Sequence, residues 1–174
     1  MASAPRPAFS TRWRLRDTRA QDEAFLRRLH DAVRAPELLL APWSAEQKDA
    51  FLADQYRLQQ AHYRQTRPNA DYWVIEQKTP PRAIRPIGRM SLDRTEPEWR
   101  LMEIALLPER RNRGLGSELI GWVQQAAHHA GAEAVTLHVV TSNRSAHRLY
   151  VRLGFVEVPS PLETHHMLRW TPPA

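Results

Sequence analysis

The chain has 174 residues, a formal net charge of +6, 42% hydrophobic residues and no cysteine. This length suits one domain with a substantial core, and the lack of cysteine excludes disulfides, zinc–thiolate sites and a thiol nucleophile. Because no apolar run approaches a membrane span and the first ten residues lack a signal core, we expect a cytoplasmic protein that does not enter membranes.

The N-terminal half predicts one strand followed by two helices. Apolar residues at helical spacing mark the first helix. Ser44 and Gln47 then form a capping-box pattern that opens the second. The predicted elements are a flexible leader over 1–10, a strand within 11–19 and helices over 20–34 and about 45–64.

The remainder predicts mostly strands, with two further helices. Leu115 begins a helix whose apolar face repeats every three or four residues, and Gly131 is placed to end it. On composition and periodicity alone, this order defines only a mixed α+β domain. The predicted segments are strands over 70–77, 87–95, 98–107, 134–140, 155–159 and 165–170, a proline-rich turn over 78–86, and helices over 115–130 and from about 145.

Arginines and glycines cluster where the strand ending near Leu107 gives way to a helix. Gly114 and Gly116 have no Cβ, so a ligand can approach the unpaired amides of the first helical turn. Arginines on the same stretch add positive charge at the positive end of the helix dipole. This arrangement suits a phosphate or pyrophosphate; the alternative is a solvated basic loop with an ordinary glycine turn.

Two other glycine-rich anion sites fit this stretch poorly. A P-loop needs Lys and then Ser or Thr after its last glycine, but Ser117 and Glu118 follow here. A dinucleotide fingerprint needs a third glycine where Leu119 stands. It also wants an acid at the end of the next strand, and residues 141–143 supply none.

Two motifs resemble those of the GNAT superfamily of N-acetyltransferases. Arg111–Gly116 matches the R/Q-x-x-G-x-G/A loop, and Asn143–Phe155 matches N-x-x-A-x-x-L-Y-x-x-x-G-F. The chain resembles the family from about Ile84 onward. The resemblance implies an α+β fold, an α/β/α sandwich with a mixed, mostly antiparallel sheet of six to seven strands. It also implies splayed central strands, about four helices and a single domain over 11–174.

The resemblance also implies acetyl-CoA as cosubstrate and no metal. The acetyl-CoA-binding core would cover about 84–158, with acceptor-side helices over about 20–65. A basic protein suits a polyanionic cofactor. The cofactor-binding residues implied by the motifs are Ile104, Ala105, Leu106, Leu107, Arg111, Asn112, Arg113, Gly114, Leu115, Gly116, Ser117, Asn143 and Tyr150.

Acyl transfer to an amine poses two proton-transfer problems. The amine must lose a proton before it attacks, and the leaving thiolate must gain one. Tyr150 stands at the family's tyrosine position and is expected to be the acid, although it could be a core aromatic. Glu103 is the candidate base, with Asp93 in reserve; the alternative for Glu103 is a solvent-facing acid on a half-exposed strand.

The acceptor itself is not defined by the sequence. In this family the first two helices and their loop wall the acceptor pocket, although each candidate could instead serve helix packing. The histidine pairs 128–129 and 165–166 lack metal-site spacing and are interpreted as surface residues. The acceptor-pocket candidates are Trp43, Tyr56, His62 and His138.

The function that follows is transfer of acetyl from acetyl-CoA to a primary amine of a small molecule or peptide. The alternative is an acyl-CoA-binding regulatory module without turnover. Another acyl-CoA could serve as donor, and a homodimer through the closing strands is common in the family. Nucleic acid is a minor alternative, because the basic residues are scattered rather than interleaved with aromatic platforms.

Overall fold

A computed structural model describes residues 12–79 and 83–173. The predicted leader over 1–10 lies outside these residues. Within them the chain forms seven strands and four α-helices, with short 3₁₀ turns at Ala20–Asp22, Ala35–Leu38 and Pro108–Arg110. In chain order the elements are β1 (Trp13–Asp17), α1 (Glu23–Arg34), α2 (Ala45–Thr66), β2 (Asp71–Thr79), β3 (Ala83–Asp93), β4 (Glu98–Leu106), α3 (Leu115–His129), β5 (Ala134–Val140), α4 (Arg144–Arg152), β6 (Val156–Val158) and β7 (His165–Trp170).

The strands form one mixed sheet in the order β1-β2-β3-β4-β5-β7-β6. β1 pairs antiparallel with β2, and β7 pairs antiparallel with both β5 and β6. β4 and β5 run parallel, but their register joins only Glu98–Leu101 to Ala134–Leu137. Pairing between them stops there, although β4 continues to Leu106 and β5 to Val140. The predicted mixed sheet with separating central strands is confirmed.

The described chain forms two compact units. The N-terminal unit comprises the residues up to Ser91 together with Glu103–Arg111. The C-terminal unit comprises Leu92–Met102 and the residues from Asn112 onward. Each unit has buried apolar residues of its own, which are described in turn.

The core of the N-terminal unit confirms the apolar face predicted for α1. The apolar residues of α1 recur at helical spacing, so one side of the helix packs against α2 and the sheet. Val33 is partly buried and packs against the same residues. Burying each large apolar side chain contributes roughly 1.5–3 kcal/mol relative to exposure. The cluster consists of Phe25, Leu26, Leu29, Tyr56, Val74 and Ala105.

In the C-terminal unit, the apolar face of α3 is buried together with strands β5 and β7. The buried residues of α3 recur every three or four positions, as the sequence predicted and as expected for a helix that lies on a sheet. The fully buried side chains here are Leu119, Ile120, Val123, Ala127, Val135, Leu137 and Leu168.

Two predicted helix boundaries are confirmed by hydrogen bonds and backbone angles. At the start of α2, the Gln47 amide donates to Ser44 Oγ at 3.2 Å, and the Ser44 amide donates to Gln47 Oε1 at 2.8 Å. After α3, Gly131 has φ 69°, the left-handed conformation that closes a helix. Local sequence therefore sets both boundaries.

The proline-rich turn predicted over 78–86 is wrong at its two ends. β2 continues to Thr79, and β3 already begins at Ala83. Residues 83–85 are exposed, and Pro86 removes only one ladder donor near the exposed end of a strand. Residues 80–82 lie outside the described part of the chain. None of the described helices has both the length and the apolar character needed to cross a bilayer.

One arginine bridges two buried acids in the N-terminal unit. Arg16 forms a two-nitrogen pair with Asp22 at 2.7 Å and contacts Glu76 at 2.6 Å. The hydrogen bonds from Arg16 lower the pKa of Asp22. Burial alone would raise the pKa of Glu76, but hydrogen bonds from Arg16 and Arg14 outweigh it and lower the pKa.

This network makes stability sensitive to acid. The pKa values of Asp22 and Glu76 are lower in the folded state than in the unfolded state. Their contribution to the free energy of unfolding is therefore complete above the unfolded-state pKa values, near 4, and is lost as pH falls through the folded-state pKa values. Asp22→Asn should lower the free energy of unfolding at pH 7 by about 1–3 kcal/mol and flatten its decline between about pH 5 and 2. Urea denaturation across this range measures both effects.

The matched control is Asp54→Asn, which changes an exposed acid paired with Arg57. That variant should stay within about 0.5 kcal/mol of the parent protein. If the free energy of unfolding of Asp22→Asn fell as steeply with pH as that of the parent protein, Asp22 would not be a source of the acid sensitivity.

Gly88 on β3 is required by close backbone approach. A Cβ there would lie 2.4 Å from the Ala105 carbonyl oxygen and 2.8 Å from Leu106 Cδ2. Because a backbone oxygen cannot move aside cheaply, Gly88→Ala should lower the free energy of unfolding by about 1–3 kcal/mol. Gly121→Ala, within α3 and with nothing inside 4 Å of the new Cβ, should raise it by about 0.5–1 kcal/mol. Denaturant unfolding of both variants tests this, and shifts of the same sign would refute it.

Candidate active site

The loop that opens α3 has two left-handed residues. Asn112 has φ 58° and Gly114 has φ 81°. Gly114 is the N-cap of α3 and, having no side chain, does not itself cap the helix. The first amides of an α-helix have no partner inside the helix, so those at the start of α3 can be satisfied by solvent or an anion. A Cβ at Gly116 would meet only Leu149 Cδ2 at 3.5 Å, so packing does not require this glycine.

The arginines of this stretch have different surroundings. Arg113 is exposed in the C-terminal unit. In the N-terminal unit, Arg111 Nε donates to the Leu106 carbonyl at 3.0 Å, and Arg110 Nη1 donates to Gln77 Oε1 at 3.3 Å. Arg111 therefore holds the end of β4, and Arg110 joins the turn after β4 to β2.

The last residues of β4 are held on the β3 side. The Leu107 amide donates to the Ile87 carbonyl at 2.9 Å, and the Ala105 carbonyl lies over Gly88. Ala105 is buried, while Ile104, Leu106 and Leu107 are half-buried. Ile104, Ala105 and Leu106 belong to the part of β4 that continues past the register with β5.

Helix α4 carries the two motif residues of the C-terminal unit. Asn143 Oδ1 accepts a hydrogen bond from the Ala146 amide at 3.1 Å, so Asn143 caps α4, which begins at Arg144. The Tyr150 side chain is buried, with its ring 5.7 Å from that of Phe155. Burial raises the pKa of Tyr150 to about 12, so the phenol is protonated at neutral pH.

Glu103 lies in a buried polar cluster of the N-terminal unit. Its side chain is 19% exposed, and its Oε2 lies 3.2 Å from Nη2 of Arg89, which is 5% exposed. The contact is an ion pair by distance but not a hydrogen bond, because Glu103 Oε2 has no hydrogen-bond partner. Arg89 Nη1 likewise has none. The interpretation of Glu103 as a solvent-facing strand residue is therefore not supported.

Two further ionisable side chains lie within electrostatic reach of Glu103. Burial raises the pKa of Tyr63, and the negative charge of Glu103 raises it further. Burial lowers the pKa of His30, and Glu103 acts weakly in the opposite direction. We name Glu103, Arg89, Tyr63 and His30 the Glu103 cluster. Arg89 and His30 were missed from the sequence, although an arginine inside the apolar run of β3 was a usable signal.

Asp93, the reserve base, is engaged at the end of β3. It is buried and accepts hydrogen bonds from the Thr95 amide at 3.0 Å and the Thr95 hydroxyl at 2.6 Å. This arrangement is a local turn of the kind that aspartate forms with the backbone two residues on. Asp93 is therefore satisfied structurally.

The three acceptor candidates of the N-terminal unit have different environments. Trp43 is 41% exposed and packs against Phe51, with ring centroids 5.2 Å apart. Tyr56 belongs to the hydrophobic core; burial raises its pKa to about 12. His62 is exposed on α2. Tyr56 fits the packing interpretation better than a role in an open pocket.

His138, the fourth acceptor candidate, is held by a cation in the C-terminal unit. Arg100 Nη2 lies 2.8 Å from His138 Nδ1. Burial lowers the pKa of His138, and Arg100 lowers it further, so the ring is neutral with Nδ1 as the acceptor. Its Nε2 is buried without a hydrogen-bond partner.

The chain belongs to the acetyltransferase (GNAT) family, whose sequence model matches residues 26–155. This match covers most of the chain and includes both motifs. The fold that the resemblance implied is therefore confirmed by family membership and by the strand order.

Individual relatives place the fold among known acetyltransferases. An aminoalkylphosphonate N-acetyltransferase of Salmonella typhimurium is 38% identical over 55 residues, which is 32% of this chain. The aligned part spans 36% of that relative's length. Two solved structures at lower identity share the fold over nearly the whole chain.

The first is the PaiA N-acetyltransferase of Thermoplasma acidophilum in complex with coenzyme A. It has a TM-score of 0.65 and 15% identity over 91% of this chain and 98% of its own. The second is the spermidine N-acetyltransferase of Vibrio cholerae in complex with CoA and spermine. It has a TM-score of 0.61 and 19% identity over 92% and 94% of the two chains.

The Arg89–Glu103 pair gives a stability prediction. Arg89→Met should lower the free energy of unfolding by about 2–4 kcal/mol, because it leaves the Glu103 carboxylate without its cation in a mostly buried site. Adding Glu103→Gln should recover part of this loss, since the remaining side chain is neutral. Denaturant unfolding of the two single variants and the double variant measures the coupling.

Arg57→Met, which removes one partner of an exposed pair on α2, is the control and should change stability by at most about 0.5 kcal/mol. Equal effects of Arg89→Met with and without Glu103→Gln would show that the two side chains do not interact.

Proposed function

We propose that the protein is an N-acetyltransferase that moves an acetyl group from acetyl-CoA to a primary amine of a small molecule or peptide. The amine attacks directly while both substrates are bound. The observation that carries the proposal is the start of α3, where a left-handed Gly114 opens the helix with no side-chain cap. Gly114 lies within residues 26–155, which match the family's sequence model.

The cofactor contacts we propose follow the family motifs. The diphosphate of CoA would be held by the amides of Leu115, Gly116 and Ser117, with Arg113 and the free face of Arg111 adding charge. The pantetheine arm would run along the main chain of residues 104–107. This is the part of β4 that extends past its register with β5, and a strand-like ligand can satisfy backbone groups there. Asn143 would contact the arm in addition to capping α4.

The reaction requires one base and one hydrogen-bond donor to sulfur. We assign Glu103 to accept a proton from the incoming ammonium, directly or through water. The neutral nitrogen then forms the C–N bond, the oxyanion collapses, and the C–S bond breaks to release a thiolate. We assign Tyr150 to donate to that sulfur.

The pKa of Tyr150 refines its role. A phenol of pKa about 12 is a weaker acid than a thiol of ordinary pKa near 8.5, so complete proton transfer to the thiolate is uphill. Tyr150 therefore stabilises the developing negative charge by a hydrogen bond. Its proton can move to sulfur only as the acetylated nitrogen returns one to the phenol.

The amine is constrained only as a class. One relative carries the name of an aminoalkylphosphonate acetyltransferase, and one structural neighbour holds spermine; both acceptors are primary amines. Trp43, His62 and His138 stay the candidates for acceptor contacts, and Tyr56 is the least favoured because it is part of the core. The single domain over 11–174, a metal-free reaction, a cytoplasmic location and a homodimer stay predictions.

Tyr150→Phe and Glu103→Gln test the proposed roles. Each should lower kcat for amine-dependent release of free CoA by roughly 10²-fold or more. Acetyl-CoA affinity should change far less, because neither group is assigned to the diphosphate. A thiol-release assay on a panel of primary amines, combined with calorimetric titration of acetyl-CoA, measures both quantities.

Tyr72→Phe serves as the matched control. The Tyr72 hydroxyl donates to the main-chain carbonyls of Tyr63 and Arg67 and is assigned no role in the proposed chemistry, so turnover should be retained. Acetyl-CoA binding without amine-dependent thiol release from the parent protein would support the regulatory-module alternative instead.

A further inference from the structure

Three side chains outside the proposed reaction meet in the C-terminal unit. His147 comes from α4, Glu157 from β6 and His166 from β7. His147 Nε2 lies 3.1 Å from Glu157 Oε2, and His166 Nδ1 lies 2.7 Å from Glu157 Oε1. The two imidazole rings are 4.8 Å apart between centroids. We name these residues the His–Glu–His cluster.

The cluster has the donor set of a transition-metal site. One nitrogen from each histidine and one carboxylate oxygen all lie within 4.8 Å of one another. Zinc binds imidazole nitrogen and carboxylate oxygen at about 2.0–2.2 Å in tetrahedral geometry. Ligand atoms on one such ion are therefore separated by about 3–3.5 Å, so only small side-chain movements are needed to close the cluster around an ion.

The three residues are anchored independently, which favours a preformed site. Glu157 is opposite Leu168 in the antiparallel β6–β7 pair, and His166 is two residues before Leu168 on the same face. His147 reaches the cluster from α4. The side chains are 28%, 50% and 32% exposed for His147, Glu157 and His166, so an ion can enter from solvent.

A basic cleft lies beside the cluster. Thr141, Arg144 and Arg148 line it together with the two histidines, and its volume is about 370 Å³. The positive charges of the two guanidinium groups disfavour the binding of a divalent cation alone. The same charges favour an anion as the fourth ligand of the metal. The arrangement suits an ion that carries a small anionic ligand, rather than the closed four-ligand site of a structural zinc.

We propose that His147, Glu157 and His166 bind one first-row transition-metal ion, with Zn²⁺ the best match to an imidazole and carboxylate set. The ion ties α4 to the β6–β7 hairpin. This inference is independent of the proposed acetyl transfer and uses none of its residues.

The test is calorimetric titration of the untagged full-length protein, first treated with chelator, with zinc chloride in a phosphate-free buffer. The parent protein should bind one equivalent and show a raised unfolding temperature with zinc. His147→Ala and His166→Ala should each weaken binding at least tenfold, and Glu157→Gln should do the same. Circular dichroism of each variant without metal verifies folding.

The control is the double change His128→Ala, His129→Ala, which removes an exposed adjacent pair on α3 and should leave zinc affinity unchanged. Co²⁺ substitution provides a second readout, because d–d absorption bands of a tetrahedral ion should appear in the parent and disappear in His166→Ala. Failure to bind zinc, or binding that the cluster variants leave intact, would overturn the proposal.

Discussion

The left-handed turn at Gly114 is the constraint on which the rest of the account depends. Gly114 has φ 81° and is the N-cap of α3. It has no side chain to accept hydrogen bonds from the first amides of the helix, and these amides have no partner inside the helix. Only glycine adopts this conformation without steric cost, and Asn112, the next left-handed residue, is among the few others that tolerate it. The buried face of α3 then fixes the direction in which those amides point.

Two arginines near this turn have a structural role in addition to the binding role that we propose. Arg111 holds the end of β4 through the Leu106 carbonyl, and Arg110 joins the turn after β4 to Gln77 on β2. On the N-terminal unit, the Arg89 guanidinium orients Glu103 inside a mostly buried cluster. In its proposed role as the base, Glu103 would therefore lose little conformational freedom on substrate binding.

Features governed by neighbouring residues could be read from the sequence, whereas features that need strand register could not. The Ser44–Gln47 capping box, Gly131 and the bounds of β5 are local, and each was predicted residue for residue. The Arg89–Glu103 pair depends on which β3 residue faces which β4 residue, and the His–Glu–His cluster joins three elements. The extension of β3 to Ala83 was hidden because Pro86 normally marks a turn.

The most direct measurement of the central claim compares two ligands that differ in the diphosphate. Calorimetric titration of the protein with CoA and with pantetheine, which lacks the diphosphate and the adenosine, reports how much affinity the start of α3 and its arginines provide. We expect CoA to bind at least about 100-fold more tightly than pantetheine, and added salt to reduce this difference in affinity because the contacts are ionic. Equal affinity for the two ligands at low salt would contradict it.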